Sequence, residues 1–327
     1  MPQFATAYHG ELAKESWGLV HVPQMYNHHG TIWATWDKDA PPFLEYMGGM
    51  IKLFDGAITA SDGTIGGMEV VGGVQKFIIP SSWMYGAENF IGDGYHGISH
   101  RSVDLAAISP QGEGRFPRRA SNGQSFQSLC FPRLGHGGFA VLKEAAGAVY
   151  AETWPDNPEA EAYFREAHAQ RQAKLRAGKE VWSVIVSTTF PNTSTHSGPR
   201  SIFVWHPRGP DTMELWRWFI VDKAAPQSVK EELKRYAMRY SGPAGMTEQD
   251  DAENWNYATA ASHGVIAGRY SFNYTMGLGH ARPVPGLEGA VFTDTTGENN
   301  ALSLYRRWGE FMDATSWDQI IPVGTST

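Results

Sequence analysis

Short runs of alternating apolar and polar residues dominate the first half of the chain. Thr31–Trp36 (TIWATW) and Met68–Val71 read as strands, because β-branched and aromatic side chains at a period of two suit a half-buried pleated surface. Turn signals such as Ser61-Asp62-Gly63 separate these runs. The period then changes. Asn157-Pro158 has the form of an N-cap followed by proline at the first helical position, and an Ala/Glu/Arg/Gln-rich helix is predicted to run to about Ala177, with Gly178 as its stop. Three more strands follow in close succession: Trp182–Thr189 (WSVIVSTT), Ser201–Trp205 (SIFVW) and Met213–Val221 (MELWRWFIV). Their short connections predict antiparallel pairing, since a parallel crossover needs about a dozen residues or more. Pro226 opens an amphipathic helix through about Tyr240, and a last helix is predicted over Asn299–Asp313. Leu302, Tyr305, Trp308 and Met312 recur there at helical spacing, which predicts the face that packs on the sheet.

The order of elements indicates an α+β fold, a curved antiparallel β-sheet whose concave side is covered by the C-terminal helix. No Pro/Ser/Gly-rich linker and no repeat divides the sequence, so one domain over residues 1–327 is expected. The composition, 42% apolar and 13% aromatic, supplies a large core and excludes a disordered chain. The single cysteine, Cys130, excludes an internal disulfide, a structural zinc site built on two or more cysteines, and an iron–sulfur cluster ligated within these residues. Any redox or metal chemistry must therefore use His, Asp, Glu or a bound cofactor. Lys and Arg total 27 against 34 Asp and Glu, a net charge of −7, so no nucleic-acid partner is expected. There is no 18-residue apolar run and no signal-peptide pattern at the start, so the expectation is a cytoplasmic protein with no membrane partner.

Two stretches could carry chemistry. In Glu88–Val103 (ENFIGDGYHGISHRSV), His96 and His100 are four residues apart, which on a helical turn puts both imidazoles on one side, within reach of one metal. Asp93 precedes His96 by three residues and can orient an imidazole. With 12 His in the chain, two partly exposed helical histidines are an equal reading. Far downstream, Ser241–Trp255 (SGPAGMTEQDDAENW) gathers Glu248, Asp250, Asp251 and Glu253. By composition alone an acidic surface turn explains it better, because clustered carboxylates repel unless solvated or bound to a cation. Two neutral imidazoles and one carboxylate would make the facial triad of a non-heme Fe(II) oxygenase, and the same set also suits catalytic zinc.

The segment AENFIGDGYHGISHRSV resembles the iron-binding motif of the large (α) subunit of Rieske-type aromatic-ring-hydroxylating dioxygenases, in which Asn-x-x-x-Asp-x-x-His leads to a second ligand His. The resemblance covers nearly the whole chain. Gly30–Gly48 (GTIWATWDKDAPPFLEYMG) is similar to the start of the family's catalytic domain. Phe190-Pro191-Asn192, Trp205-His206-Pro207-Arg208-Gly209-Pro210, GPAGMTEQDDAENW and Tyr305-Arg306-Arg307-Trp308 are similar to later blocks in the same order. The resemblance implies a helix-grip catalytic domain in which His96, His100 and Asp251 ligate a mononuclear Fe(II), Asp251 being preferred to Asp250 because the family uses the second Asp of its pair. It implies that Asp93 is the bridge through which electrons arrive and that Asn89 lies near the iron without being a firm ligand. Phe90, Gly97, Met246 and Thr247 map to positions that line the family's substrate pocket.

The sequence departs from the family pattern in two places. Only Gly97, Ile98 and Ser99 separate the two histidines, one residue fewer than the family's shortest usual spacing, so the local backbone is expected to differ. The Cys-x-His and Cys-x-x-His pairs of a Rieske domain are absent; Tyr8-His9-Gly10 has Thr6 where a ligand Cys would stand. Residues 1–29 are therefore expected to be a lead-in that follows the position of a Rieske domain, with the [2Fe-2S] cluster supplied by a separate chain or segment. The resemblance implies an aromatic substrate, O2, a Rieske or ferredoxin donor, an NAD(P)H-dependent reductase, and a homotrimer or an α3β3 assembly with a small β subunit. Two other readings remain open from the residues: a non-catalytic binder of an apolar ligand, favoured by the lost cluster, and a metal-dependent hydrolase, which needs no electron donor.

Overall fold

The computed structural model describes residues 1–116, 126–141, 144 and 146–320. Two compact units are present, Met1–Phe43 and Leu44–Thr327. In the first, β1 (Gln24–His28) and β2 (Thr31–Thr35) form an antiparallel hairpin, with Gly30 at φ +92° in its turn. The rings of Tyr26 and Trp33 each lie 5.0 Å from that of Phe43.

Among the described residues the second unit is built on a nine-stranded antiparallel sheet in the order β10-β11-β4-β5-β6-β7-β8-β9-β3. Its strands are β3 (Met68–Ile79), β4 (Gln127–Phe131), β5 (His136–Val141), β6 (Ser183–Thr189), β7 (Thr193–His196), β8 (Ser201–Pro207), β9 (Met213–Asp222), β10 (Arg282–Pro283) and β11 (Val291–Thr293). The helices are α1 (Phe43–Met47), α2 (Met50–Ala57), α3 (Trp83–Gly92), α4 (Arg101–Ala106), α5 (Pro158–Arg176), α6 (Gln227–Ser241), α7 (Glu248–Ser262) and α8 (Asn299–Asp313). No helix among the described residues is long and apolar enough to cross a membrane.

The predicted strands and helices are present close to their expected bounds. Asn157 caps α5 by accepting a hydrogen bond from the Ala160 amide at 2.9 Å. The strand expected over Met68–Val71 continues to Ile79, past a register shift at Gly72-Gly73, where both glycines have φ +74°. β7 was not anticipated, because TSTH offers no apolar alternation. Its buried hydroxyls are satisfied instead, Ser194 Oγ pairing with Thr188 Oγ1 and accepting from Trp205 Nε1, both at 2.8 Å.

The face of α8 is a correction. Tyr305, Trp308 and Met312 are 38%, 40% and 66% exposed, whereas Asn300, Ser303, Leu304 and Arg307 are buried. Hydrogen bonding explains the reversal. Asn300 Nδ2 donates to the carbonyls of Ile91 (2.8 Å) and Leu129 (3.1 Å), and its Oδ1 accepts from Thr293 Oγ1 (2.8 Å). These bonds lock the polar side of α8 onto α3 and β4, an arrangement that apolar periodicity does not reveal.

The middle of the sheet is covered by α3. Strict alternation on β8 turns Phe203 and Trp205 inward, and they pack with Ala87, Phe90 and Ile91 of α3. Gly86 makes this approach possible: a Cβ there would stand 2.5 Å from Cδ2 of Trp205. Thr188 Oγ1 on β6 donates to the Ala87 carbonyl at 2.8 Å, so α3 is also pinned along its axis.

Candidate metal centre

The first two donors are delivered by the end of α3. Gly92 leaves the helix at φ +130°, a conformation closed to L side chains, and a Cβ there would meet Asn300 Nδ2 at 2.6 Å. The chain then turns through Asp93 into a 3-10 segment, Tyr95–His100. At three residues per turn, a four-residue spacing rotates the second ring about 120° past the first, instead of the roughly 40° of an α-helix. The rings of His96 and His100 are perpendicular, with centroids 5.2 Å apart. The local backbone thus differs from a plain helical turn, and the shortened spacing still brings both rings to one point.

The third donor comes from the first turn of α7. Asp251 is buried, and its Oδ1 stands 3.1 Å from His100 Nε2 and 3.7 Å from His96 Nε2. The other nitrogen of each ring is already engaged. His96 Nδ1 lies 2.8 Å from the Asp93 carbonyl, which can only accept, so Nδ1 carries the proton and Nε2 presents its lone pair. His100 Nδ1 lies 3.3 Å from Asp250 Oδ2, which fixes the same tautomer. Asp250 and Asp251 therefore have different tasks: one orients a ring from behind, the other faces both rings.

The electrostatics match this division. Burial pushes the Asp251 carboxyl up to about 7, with His96 and Arg115 opposing the rise. Burial also works against a charged His96, but the hydrogen bond and charge of Asp93, together with Asp251, leave its pKa above the ordinary imidazole value. For Asp93 burial raises the pKa, and His96 with the Tyr95 amide more than reverses it. Asp251 Oδ1 is a buried carboxylate oxygen with no hydrogen-bond partner. Two imidazole lone pairs and this orphaned oxygen lie within 4.8 Å of one another, a donor set that fits a divalent transition metal such as Fe(II).

The remaining predicted site residues are distributed unevenly. Asn89, Phe90 and Thr247 are buried, and Thr247 Oγ1 has no hydrogen-bond partner. Gly97 has open space where a Cβ would stand, and Met246 is 44% exposed. Three aromatic groups escaped sequence reasoning. The Phe90 ring meets His196 of β7 at 5.6 Å; His196 in turn meets Phe116 at 5.6 Å and Tyr240 at 5.3 Å. Phe116 continues into the wall of a cavity of about 420 Å³ that is also lined by Phe126, Phe164, Trp182 and Ile185. None of the three donors lines that cavity. Asp250 was visible as half of an Asp-Asp pair; His196, Phe116 and Tyr240 sit in segments with no distinguishing spacing.

Residues 79–312 match the family described as "Ring hydroxylating alpha subunit (catalytic domain)". The chain is 32% identical, over 94% of its length, to biphenyl 2,3-dioxygenase subunit alpha of Rhodococcus jostii (strain RHA1). It is 31% identical, again over 94% of its length, to biphenyl dioxygenase subunit alpha of Paraburkholderia xenovorans (strain LB400). It spans 65% and 66% of those two proteins, respectively. A solved structure of naphthalene 1,2-dioxygenase from Rhodococcus sp., bound to indole, aligns with a TM-score of 0.70 at 28% identity, covering 97% of this chain and 72% of that one. These relatives are oxygenase proteins and lend no support to the hydrolase or the non-catalytic reading.

Proposed function

Because the chain belongs to the ring-hydroxylating α-subunit family, through that family's catalytic domain, we propose that it cis-dihydroxylates an aromatic ring with O2 at a mononuclear Fe(II) held by His96, His100 and Asp251. The observation that carries this reading is the convergence of two imidazole Nε2 atoms on the unpartnered Asp251 Oδ1. When bound, Fe(II) supplies the reductive activation of O2, at coordination positions that three protein ligands leave open.

The chain's own residues prepare the reaction. The Asp93 carbonyl and the Asp250 carboxylate hold the two imidazoles in their metal-binding tautomer. The Asp93 side chain is 31% exposed beside the exposed Tyr95 and Ile98, which supports its assignment as the point where electrons enter from a protein donor. Phe90 and His196, whose rings meet edge to face at 5.6 Å, are assigned as the aromatic side of the site that orients a planar ring and excludes water. Gly97, Met246 and Thr247 are assigned to the rest of the pocket, with Asn89 near the metal and not bound to it.

The electron donor is assigned as a [2Fe-2S] Rieske centre on another chain or segment, fed by an NAD(P)H-dependent reductase. The name "subunit alpha" of both biphenyl relatives supports an assembly, taken here as a homotrimer or α3β3 in the cytoplasm. The test is turnover. Anaerobically Fe(II)-loaded protein is supplied with a Rieske donor, reductase and NADH, and a panel of one- to three-ring aromatic hydrocarbons is screened for O2 uptake and cis-dihydrodiol. Iron-bound protein that consumes no O2 with any of them refutes the oxygenase assignment.

A further inference from the structure

We propose that Arg217 is a positioning residue for the Asp251 ligand, acting through Glu248; this deepens the metal-centre reading and rests on it. Arg217 sits mid-strand on β9 with its side chain turned inward among Met213, Leu215 and Phe219, and it is fully buried. Its guanidinium is enclosed by the rings of Phe77 (5.1 Å), Phe203 (5.3 Å) and Phe219 (5.8 Å). A charge placed there is costly unless its hydrogens find acceptors. Nη1 donates to Gln75 Oε1 at 3.2 Å and to the Ser241 carbonyl, and Nη2 donates to Glu248 Oε1.

Those acceptors have a structural meaning. Ser241 is the last residue of α6 and Glu248 the first of α7, so one planar group holds both ends of the connection 242–247. Asp251 follows Glu248 by three residues and lies on the same side of α7. The buried stripe of α7 is only Glu248, Asp251, Trp255 and Thr259. Two of its four members are acids, and apolar burial gives no reason for them to turn inward. The Arg217 fork supplies that reason for Glu248, and by fixing the rotation of the first turn it aims Asp251 at His96 and His100. A lysine donates from a single nitrogen and cannot reproduce the planar fork that reaches the Ser241 carbonyl and Glu248 from two separate nitrogens.

The competing explanation is that the pair only stabilises the fold. Co(II) binding on the full-length protein separates the two, read as a dissociation constant and as the visible absorption spectrum, alongside the thermal midpoint without metal. The Arg217→Met/Glu248→Leu double variant removes both charges together and is expected to fold with a midpoint near that of the parent. It is expected to bind Co(II) at least tenfold more weakly, with a shifted spectrum, because the carboxylate is no longer aimed. Glu248→Gln, which keeps a hydrogen-bonding amide, is expected to fall between. A folded double variant with affinity within twofold of the parent and an unchanged spectrum overturns the proposal. If the double variant does not fold, the same criterion is applied to Arg217→Lys, expected to lose about tenfold. Asp251→Ala is run alongside: Co(II) binding that survives it refutes the ligand set itself, whereas its loss together with unaffected Arg217 and Glu248 variants refutes only the positioning role.

Discussion

Nε2 of His100 stands 3.1 Å from Oδ1 of Asp251, an oxygen that no hydrogen-bond donor satisfies. His100 reaches this point from the 3-10 turn after α3, and Asp251 from the first turn of α7. Two acceptor lone pairs facing each other in a buried site repel unless a cation stands between them. His100→Ala or Asp251→Ala is therefore expected to abolish stoichiometric Fe(II) binding, a loss beyond the roughly 10–100-fold that follows removal of an outer partner. Iron content after anaerobic loading and desalting measures this, and one equivalent of iron retained by either variant refutes the site.

Asp250 supplies a graded counterpart. Its Oδ2 accepts from His100 Nδ1 at 3.3 Å. Asp250→Ala removes the acceptor and not a donor to the metal, so affinity for Fe(II) should fall by about 10–100-fold while one equivalent still binds at saturation. Complete loss of binding would instead make Asp250 a ligand.

Gly86 tests how far the site depends on helix packing. A Cβ there would lie 2.5 Å from Trp205, so Gly86→Ala must push α3 away from β8. Overpacking of this kind costs about 1–3 kcal/mol. Because α3 leads directly into Asp93 and His96, a lower urea midpoint should be accompanied by weaker iron binding. A stable variant would show that α3 has room to shift.

His136 predicts a pH dependence away from the metal. The Phe190 amide donates to its Nδ1 at 2.9 Å, and its Nε2–H donates to the Tyr46 carbonyl at 3.2 Å, so only the neutral ring fits. Burial pulls its pKa down from 6.5 to about 4. Between those values the unfolded chain binds a proton that the folded one does not, so stability falls as pH drops through this window and rises as pH is raised. The full contribution is about 3 kcal/mol. Urea midpoints at pH 7 and pH 5 should converge in His136→Gln relative to the parent; an unchanged gap assigns the acid lability to other groups.

The sequence was most legible where local chemistry decides structure. Asn157-Pro158 marked the start of α5, and the spacing of His96 and His100 marked two of the three candidate metal donors. It was less legible where partners distant in sequence decide. The polar side of α8 is held inward by carbonyls of Ile91 and Leu129, and β7 is a strand because its hydroxyls find Thr188 and Trp205. The choice of Asp251 over Asp250 rested on resemblance, since composition alone favoured a solvated acidic turn; the rotation of α7 gives it a geometric basis. Arg217 was hidden inside MELWRWFIV, where its inward position in the alternation is plain only once Glu248 is seen opposite.

The candidate donors come from segments about 150 positions apart in the chain. An ion seated between them would also be a removable cross-link, closing a long loop that the bare polypeptide must otherwise hold shut through packing and hydrogen bonds such as that of His100 to Asp250. Chelation should therefore loosen the 3-10 turn and the start of α7 before the sheet yields. Amide hydrogen exchange at Tyr95–His100 and Glu248–Asp251 would then serve as a gauge of metal occupancy.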